Sequence, residues 1–335
     1  MKTIGFCGLP NAGKSTFLKL LTQTETLISN YPFTTLTPKL AKGFFISDNL
    51  SQLYAQTKTA KLIPSYLNFL DVPGLIKGSH KGLGLGNEFL SYLRQADYIL
   101  EIVRNFKRED VIHSEGYLDP ERDVLLIEEE IILADKKIIE DNLRQLTKRK
   151  NDQEKNKIEK LEYLLSKIEP FKRFPELADD LKEYNLLLTK EWFLIFNGDL
   201  DVDLKKFSSL GFRKVFQLDF QFELELQENS DLQKEIPSQL NIFLNDLRHA
   251  LCLIEVFTFT EEITQSWLID KDSLIINFAF QIHTDFGQKF KYGEVVNLDN
   301  FLLLPNWSLL KSKGLIKQVG KDYHLQEAEI VKIII

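Results

Sequence analysis

Apolar positions along the chain follow two periods, and the switches between them mark out the elements. Thr3-Ile4-Gly5-Phe6-Cys7 is a short, largely apolar run that reads as a buried strand, and Thr16–Leu21 reads as the opening of a helix. Tyr66–Leu70, Tyr98–Val103 and Glu191–Phe196 predict further buried strands, with a helix from Glu88 to about Gln95. Between about residues 113 and 189 the pattern turns to long charged helices. Val124, Ile127, Ile131, Ala134 and Ile138 form one stripe at 3-4-3-4 spacing, and Ile158, Leu161, Leu165 and Ile168 form a second. A polar stretch, Lys148–Lys155, lies between the stripes, so together they predict an antiparallel helical hairpin. From about residue 254 the pattern becomes short strands and turns. Leu274–Phe280, Glu294–Leu298 and Glu329–Ile335 read as strands, with a helix around Gln288.

The bulk composition narrows the class. The chain has 335 residues, 44% apolar and 27% charged, as expected of a soluble protein of two or three domains. The net charge of −7 means that any nucleic-acid contact must come from local basic patches, and no DNA specificity is expected. Cys7 and Cys252 offer neither a disulfide framework nor metal spacing, and both are expected to be packed core thiols. No segment reaches the roughly 18 apolar residues of a membrane span. Met1-Lys2-Thr3 runs directly into the first motif with no room for a signal peptide, so a cytoplasmic location is expected.

That first motif is Gly8-Leu9-Pro10-Asn11-Ala12-Gly13-Lys14-Ser15, two glycines with four residues between them and then Lys and Ser, between a strand and a helix. Backbone N–H groups of such a loop and of the helix N-terminus cradle phosphates. Asn11, Ala12, Gly13, Lys14, Ser15 and Thr16 are the expected phosphate-binding residues. Lys14 supplies a charge to the β/γ-phosphates and Ser15 a hydroxyl to Mg²⁺. Thr35, with Thr34 second, is the candidate in the Asn30–Pro38 loop for reaching Mg²⁺ and the γ-phosphate. Asp71-Val72-Pro73-Gly74 ends a strand with an acid that can hold Mg²⁺ through water and a Gly74 N–H that can meet the γ-phosphate. At the far end of the cleft, Asn197-Gly198-Asp199-Leu200 follows a buried strand and is expected to face the base. Leu200 cannot accept a hydrogen bond, so it gives guanine no specific reward, and Asp199 or Asp201 would have to act from neighbouring positions. A later base-contacting loop is expected near Asp219-Phe220-Gln221.

Gly8–Ser15, Asn30–Pro38, Asp71–Leu75 and Gly82–Leu90 resemble the Obg-related translation-factor NTPases, and most closely their YchF branch, the Obg-like ATPases. Val103-Arg104-Asn105-Phe106, Val111-Ile112-His113, Asp119-Pro120 and Leu133-Ala134-Asp135 are similar to YchF in order and spacing, while Ile282–Phe286 and Gly320–Tyr323 resemble its TGS domain. The likeness spans nearly the whole chain. It implies an α/β fold, a P-loop NTPase doubly wound sheet with an inserted α-helical hairpin and a C-terminal β-grasp (TGS) domain. The implied boundaries are 1–112 with 190–250 for the nucleotide domain, 113–189 for the insertion and 254–335 for the TGS domain. The implied activity is slow, Mg²⁺-dependent hydrolysis of ATP by a switch that acts on the ribosome or rRNA.

Obg-like ATPases place Glu where this chain has Leu200. Leu75 stands where Ras-type enzymes position water with a glutamine, so another group must orient the attacking water. By resemblance His113 is the first candidate, His80 the second and Asn11 the third, the last through K⁺ held at the loop asparagine as in some relatives. The expected catalytic set is therefore Lys14, Thr35, Gly74 and His113, with Ser15, Thr35 and Asp71 at the metal and Asn197 and Gly198 at the base. The basic tip Lys148–Lys155 is either a solvated hairpin end or a contact for RNA phosphates. Two rival readings are a GTP-specific Obg-type GTPase of ribosome assembly and a scaffold that holds nucleotide without turning it over.

Overall fold

The structure, a computed structural model, describes residues 2–22, 29–30, 39–71, 85–108, 110–149, 154–229, 231 and 236–335. The chain opens with β1 (Thr3–Cys7), α1 (Lys14–Thr22), β2 (Ser29–Asn30), β3 (Lys39–Phe44), α2 (Asp48–Thr57), β4 (Lys61–Ile63) and β5 (Tyr66–Asp71). It continues through α3 (Leu85–Leu93), β6 (Tyr98–Arg104), α4 (Pro120–Arg149), α5 (Lys155–Lys167), β7 (Glu191–Asn197), α6 (Leu204–Ser208), β8 (Phe212–Leu218) and α7 (Phe220–Glu228). The remainder is α8 (Gln239–Ala250), β9 (Leu253–Phe259), β10 (Ile263–Asp270), α9 (Ile275–Ile282), α10 (Thr284–Gln288), β11 (Tyr292–Asn297), α11 (Leu298–Leu303), α12 (Trp307–Ser312), β12 (Lys317–Val319) and β13 (Glu329–Ile334). These elements form two compact units, Met1–Gly43 with Asn68–Gln239, and Phe44–Leu67 with Leu240–Ile335.

The first unit is built on a seven-stranded sheet in the order β2-β3-β5-β1-β6-β7-β8. From β5 through β8 neighbouring strands run parallel, and β2 is antiparallel to β3. β6 and β7 are buried along nearly their whole length, which is why they read as continuous apolar runs rather than alternating ones. Phe17 anchors α1. Its ring lies 5.6 Å from Phe6 of β1, 5.5 Å from Phe69 of β5 and 4.9 Å from Phe220 of α7. The helix that begins at the phosphate loop is thus fixed by aromatic packing to two strands and another helix.

The predicted helical insertion is α4 and α5, with the turn between them outside the described residues. Val124, Ile127, Ile131 and Ala134 are buried as the stripe requires, joined further along by Ile139, while α5 buries Leu161 and Leu164. Charged residues fasten α4 down. Arg173 pairs with Glu128, both nearly buried, and Arg94 pairs with Asp135 at 2.6 Å while the Leu188 N–H donates to the same carboxylate.

The second unit has a six-stranded sheet in the order β12-β11-β13-β9-β10-β4. β9 and β10 form an antiparallel hairpin, α9 follows, and β13 lies parallel to β9 and antiparallel to β11, the arrangement expected of a β-grasp. Leu274–Phe280 is not a strand, as its apolar run suggested. It belongs to α9, which turns Ile275, Phe278 and Ala279 into a core with Val256 and Val295. The segment Phe44–Leu67, which the sequence boundaries leave in the nucleotide domain, falls in this second unit, as does α8. Leu50 and Leu53 of α2 pack with Phe257, Leu298 and Phe301, and β4 adds to the sheet edge parallel to β10. Ser47 caps α2 by accepting from the Leu50 N–H at 3.0 Å. Cys7 is buried as expected, but Cys252 is exposed, because it occupies a left-handed turn (φ 55°) after α8 instead of a core position. Among the described residues no helix is long and apolar enough to cross a membrane.

Candidate functional site

The loop between β1 and α1 sits where ligands bind in open α/β sheets, at the carboxyl ends of the strands. Its backbone is held open by unusual conformations, with Asn11 at φ 65° and Gly13 at φ 104°. A Cβ on Gly13 would lie 2.1 Å from Asn197 Nδ2, so only glycine lets the loop pass this close to the end of β7. The Lys14 ammonium folds back on the loop, donating to the Gly8 and Leu9 carbonyls at 2.8 Å each. Burial lowers its pKa to about 8, against the opposing pull of Cys7 and of Asp71 at the end of β5. Ser15 is exposed at the first turn of α1, with Thr16 half-buried beside it.

The end of β7 closes the other side. Asn197 lies beneath the loop, and its neighbour Gly198 (φ 134°) approaches so near that a Cβ there would meet the Asn105 carbonyl oxygen at 2.3 Å. The result is a cleft of about 400 Å³. Asn11, Gly13, Lys14, Ser15 and Thr16 line the phosphate end, and Asn197, Asp199, Asp219 and Gln221 line another wall. Phe106, Lys107, Arg108 and Val111, from the segment after β6, form a third. Sequence reasoning missed this third wall. Its signals were the Val103–Phe106 and Val111–His113 resemblances, which carried no base-site role, and two cations, Lys107 and Arg108, soon after an apolar strand. Asp219 also serves as the N-cap of α7, accepting from the Gln221 and Phe222 N–H groups.

Most of the phosphate and base candidates therefore meet in one place. Ala12 is buried beneath the cleft, not on its surface, and Gly198 supports the wall from behind. Thr35, Gly74, Leu75 and His80 lie outside the described residues. Leu200 contributes through its backbone, its carbonyl accepting from Asn105 Nδ2 at 2.6 Å and Gln217 Nε2 at 2.9 Å.

His113 does not line the cleft. It lies on the far side of the phosphate loop, with Leu9, Pro10 and Ala12, and its side chain is 7% exposed. Its Nδ1 accepts from the Glu115 N–H at 3.1 Å, which leaves Nε2 to carry the ring proton and donate to Asp123 at 2.8 Å. Close to this niche, Glu101 on β6 is fully buried and neither carboxylate oxygen has a hydrogen-bond partner among the described residues. Burial, reinforced by Glu128, pushes its pKa well above the usual carboxylate range, with Arg173 opposing.

The donor chemistry at the phosphate end suits Mg²⁺. Ser15 offers a hydroxyl and Asp71 a carboxylate, both hard oxygen ligands, and Mg²⁺ in such sites takes one or two protein groups together with phosphates and water. When bound, the ion would neutralise charge on the phosphates.

Comparison with known proteins agrees with this geometry. A family model described as 50S ribosome-binding GTPase matches residues 3–140, and the model for the C-terminal domain of YchF GTPases, described as a protein of unknown function, matches residues 253–335. The Obg-like ATPase homolog of Saccharomyces cerevisiae is 30% identical over 376 residues, covering 98% of this chain and 93% of its own. The chain belongs to the YchF/Obg-like ATPase family. The Ribosome-binding ATPase YchF of Buchnera aphidicola (Schizaphis graminum) is likewise 30% identical, over 98% of both chains. The structure of the Schizosaccharomyces pombe YchF GTPase superposes with a TM-score of 0.81 at 27% identity, covering 99% of this chain and 97% of that one. The YchF family is one of nucleotide-binding P-loop NTPases with a second, C-terminal sheet domain, and the β-grasp here corresponds to that domain.

Proposed function

We propose that the protein is a nucleotide-dependent switch that binds Mg²⁺-ATP, hydrolyses it slowly and acts on the ribosome. The observation that carries the reading is the Lys14 ammonium, seated on its own loop's carbonyls in a cleft shared with Ser15 and Asn197. A polyphosphate can take over those two contacts with better charge complementarity. ATP is favoured over GTP because Leu200 has no polar side-chain atom, so no carboxylate there accepts from the two guanine N–H donors. Asp199, exposed on the cleft wall, is an acceptor that the exocyclic amine of either purine could use, so the preference rests on position 200 alone.

Lys14 binds the phosphates, Ser15 and Asp71 hold the metal, and Asn197 with Gly198 shapes the base end. Thr35 and Gly74 complete the γ-phosphate contacts in this reading. His113 is the proposed water-orienting group. Its ring is engaged by Asp123 and Glu115, so the role requires that pair to open during the cycle. Asn11 donates its Nδ2 to the Ile112 carbonyl at 2.9 Å, which leaves its side-chain oxygen to meet a K⁺ ion. Action on the ribosome is supported by relatives whose names describe ribosome-binding ATPases.

Calorimetric competition between Mg²⁺-ATP and Mg²⁺-GTP tests the base preference, and guanine outcompeting adenine would replace this reading with a GTPase. Phosphate release with Mg²⁺ and K⁺, with and without ribosomes, tests turnover. No release under any of these conditions would make the protein a nucleotide-holding scaffold.

A further inference from the structure

The third wall of the cleft, residues 105–108 with 110 and 111, has no helix or strand among its described residues. Its carbonyl groups therefore lack the donors of a regular ladder: the Arg108 carbonyl accepts from the Val111 N–H at 3.3 Å, and one side chain reaches three of the carbonyls. Arg104, the last residue of β6, is only 5% exposed. Its Nε donates to the Phe106 carbonyl at 3.1 Å, Nη1 to the Val111 carbonyl at 2.9 Å and Nη2 to the Arg108 carbonyl at 3.4 Å. The guanidinium also stacks 4.5 Å from the Phe106 ring centroid. A planar fork with fixed donor directions sets where three carbonyls, spread over six residues, stand relative to one another. A lysine ammonium has no such geometry. Arg104 does not line the cleft. It lies behind the wall, in the niche that holds His113 and Asp123.

We propose that Arg104 is a positioning residue of the nucleotide site: it shapes the Asn105–Val111 wall from behind and so sets nucleotide affinity without touching the nucleotide. The inference rests on the nucleotide-binding reading above. The wall's other ties show what the arginine completes. The Asn105 N–H donates to the Asn197 carbonyl at 2.7 Å, and Asn105 Nδ2 reaches the Leu200 carbonyl, which joins the start of the wall to the end of β7. Asn11 joins the residue after its far end, Ile112, to the phosphate loop. The middle is held by the Val111 N–H on the Arg108 carbonyl at 3.3 Å and by the three contacts from Arg104. That middle carries Lys107 and Arg108 into a cleft that already contains Lys14, in a chain whose net charge is −7. Arg108 is itself aligned by Asp110, whose carboxylate oxygens accept at 3.1 and 2.8 Å. Without the guanidinium, the wall would have to find each nucleotide contact from a broader set of conformations, and binding would weaken while chemistry on bound nucleotide continued.

The test compares full-length wild type, Arg104→Lys and Arg104→Ala, using Mg²⁺-ATP as the probe. Titration gives the dissociation constant, steady-state hydrolysis separates KM from kcat, and circular dichroism checks the fold. Arg104→Lys keeps the charge but cannot reach all three carbonyls. It is expected to raise both the dissociation constant and KM about tenfold with kcat changed less than about threefold. Arg104→Ala is expected to lose more, and millimolar guanidinium should recover part of that loss. If Arg104→Ala does not fold, Arg104→Lys alone decides. A folded Arg104→Lys that binds Mg²⁺-ATP like wild type would overturn the proposal, as would a loss confined to kcat. Wild type that fails to bind Mg²⁺-ATP at all would instead overturn the nucleotide reading on which the proposal stands.

Discussion

Asn197 and Ala12 are joined by a buried hydrogen bond, Asn197 Nδ2 donating to the Ala12 carbonyl at 2.9 Å. The same carboxamide accepts from the Phe220 N–H at 3.1 Å, so one side chain at the end of β7 spans the phosphate loop and the start of α7. A residue that sequence reading assigns to the base is, in the fold, also the brace of the phosphate loop. Asn197→Ala leaves a buried donor and a buried acceptor unpaired. It is expected to cost about 2–3 kcal/mol of stability in denaturant titration and to weaken Mg²⁺-ATP binding. A loss below about 0.5 kcal/mol would mean the brace is dispensable.

Lys14→Ala should abolish tight triphosphate binding, and unchanged affinity in a titration would remove the lysine from its role. The pH dependence gives a second check. A phosphate partner favours the charged ammonium, so bound nucleotide raises the pKa from its value of about 8 in the free protein. Mg²⁺-ATP affinity should then fall as pH rises above about 8, by up to about tenfold per unit. For folding the sign is reversed. A lysine whose pKa is depressed on folding makes the unfolded chain bind more protons above pH 8, so its effect on apoprotein stability improves from about 8 up to the ordinary 10.5. A flat affinity profile between pH 7 and 9 would argue against a titrating lysine at the phosphates.

Glu101→Gln isolates the buried acid under the loop. A carboxyl whose pKa is raised on folding contributes a stability that is present below its unfolded value of 4.5 and is lost as pH climbs through the folded value. Wild type should therefore weaken from about pH 5 upward through this group, and Glu101→Gln should flatten that slope and match or exceed wild type at pH 8. Chemical denaturation at a series of pH values reads the difference directly. A variant less stable than wild type at pH 8 would overturn the reading of Glu101 as a buried acid that costs stability as pH rises.

His113→Ala is expected to slow single-turnover hydrolysis by about 10²-fold or more while leaving the nucleotide dissociation constant within about twofold. Asp123→Asn, which keeps the shape but weakens the partner of the imidazole, separates release of the ring from its loss. An unaltered single-turnover rate in His113→Ala would remove the histidine from the chemistry.

Phe17→Ala should cost about 3–5 kcal/mol, because three aromatic neighbours lose their common partner. Nucleotide affinity should fall with it, since α1 carries Lys14, Ser15 and Thr16. A stable variant with wild-type binding would show that α1 does not depend on this cluster.

How much was legible depended on range. The phosphate loop, β1, β5, β6 and β7 were readable because glycine placement and continuous apolar runs are local signals. α9 was misread as a strand because Ile275–Ile282 is short and apolar almost throughout. Its helical cue, Ile275, Phe278, Ala279 and Ile282 at one face, was present but masked by Ile276 and Phe280. The membership of Phe44–Leu67 in the second unit was not readable at all. It follows from β4 pairing with β10, two hundred residues apart (Lys61↔Ile263), and no local pattern encodes that partner. Arg104 was visible as part of the Val103–Phe106 resemblance, with no role attached to it. Its three carbonyl contacts come from loop geometry that composition does not specify. His283, within the Ile282–Phe286 stretch, caps α10, its Nδ1 accepting from the Asp285 N–H at 3.1 Å.

The excursion of Phe44–Leu67 also changes how the protein can be dissected. The polypeptide passes between the two units at residues 43/44, 67/68 and 239/240, three covalent joints where a simple tandem would have one. A stop codon after residue 239 would not yield a clean N-terminal half: it would strand Leu50 and Leu53 in water and leave a short β-segment with no edge to join. Autonomy of either half would call for replacing that excursion by a short turn between β3 and β5, a graft rather than a cut.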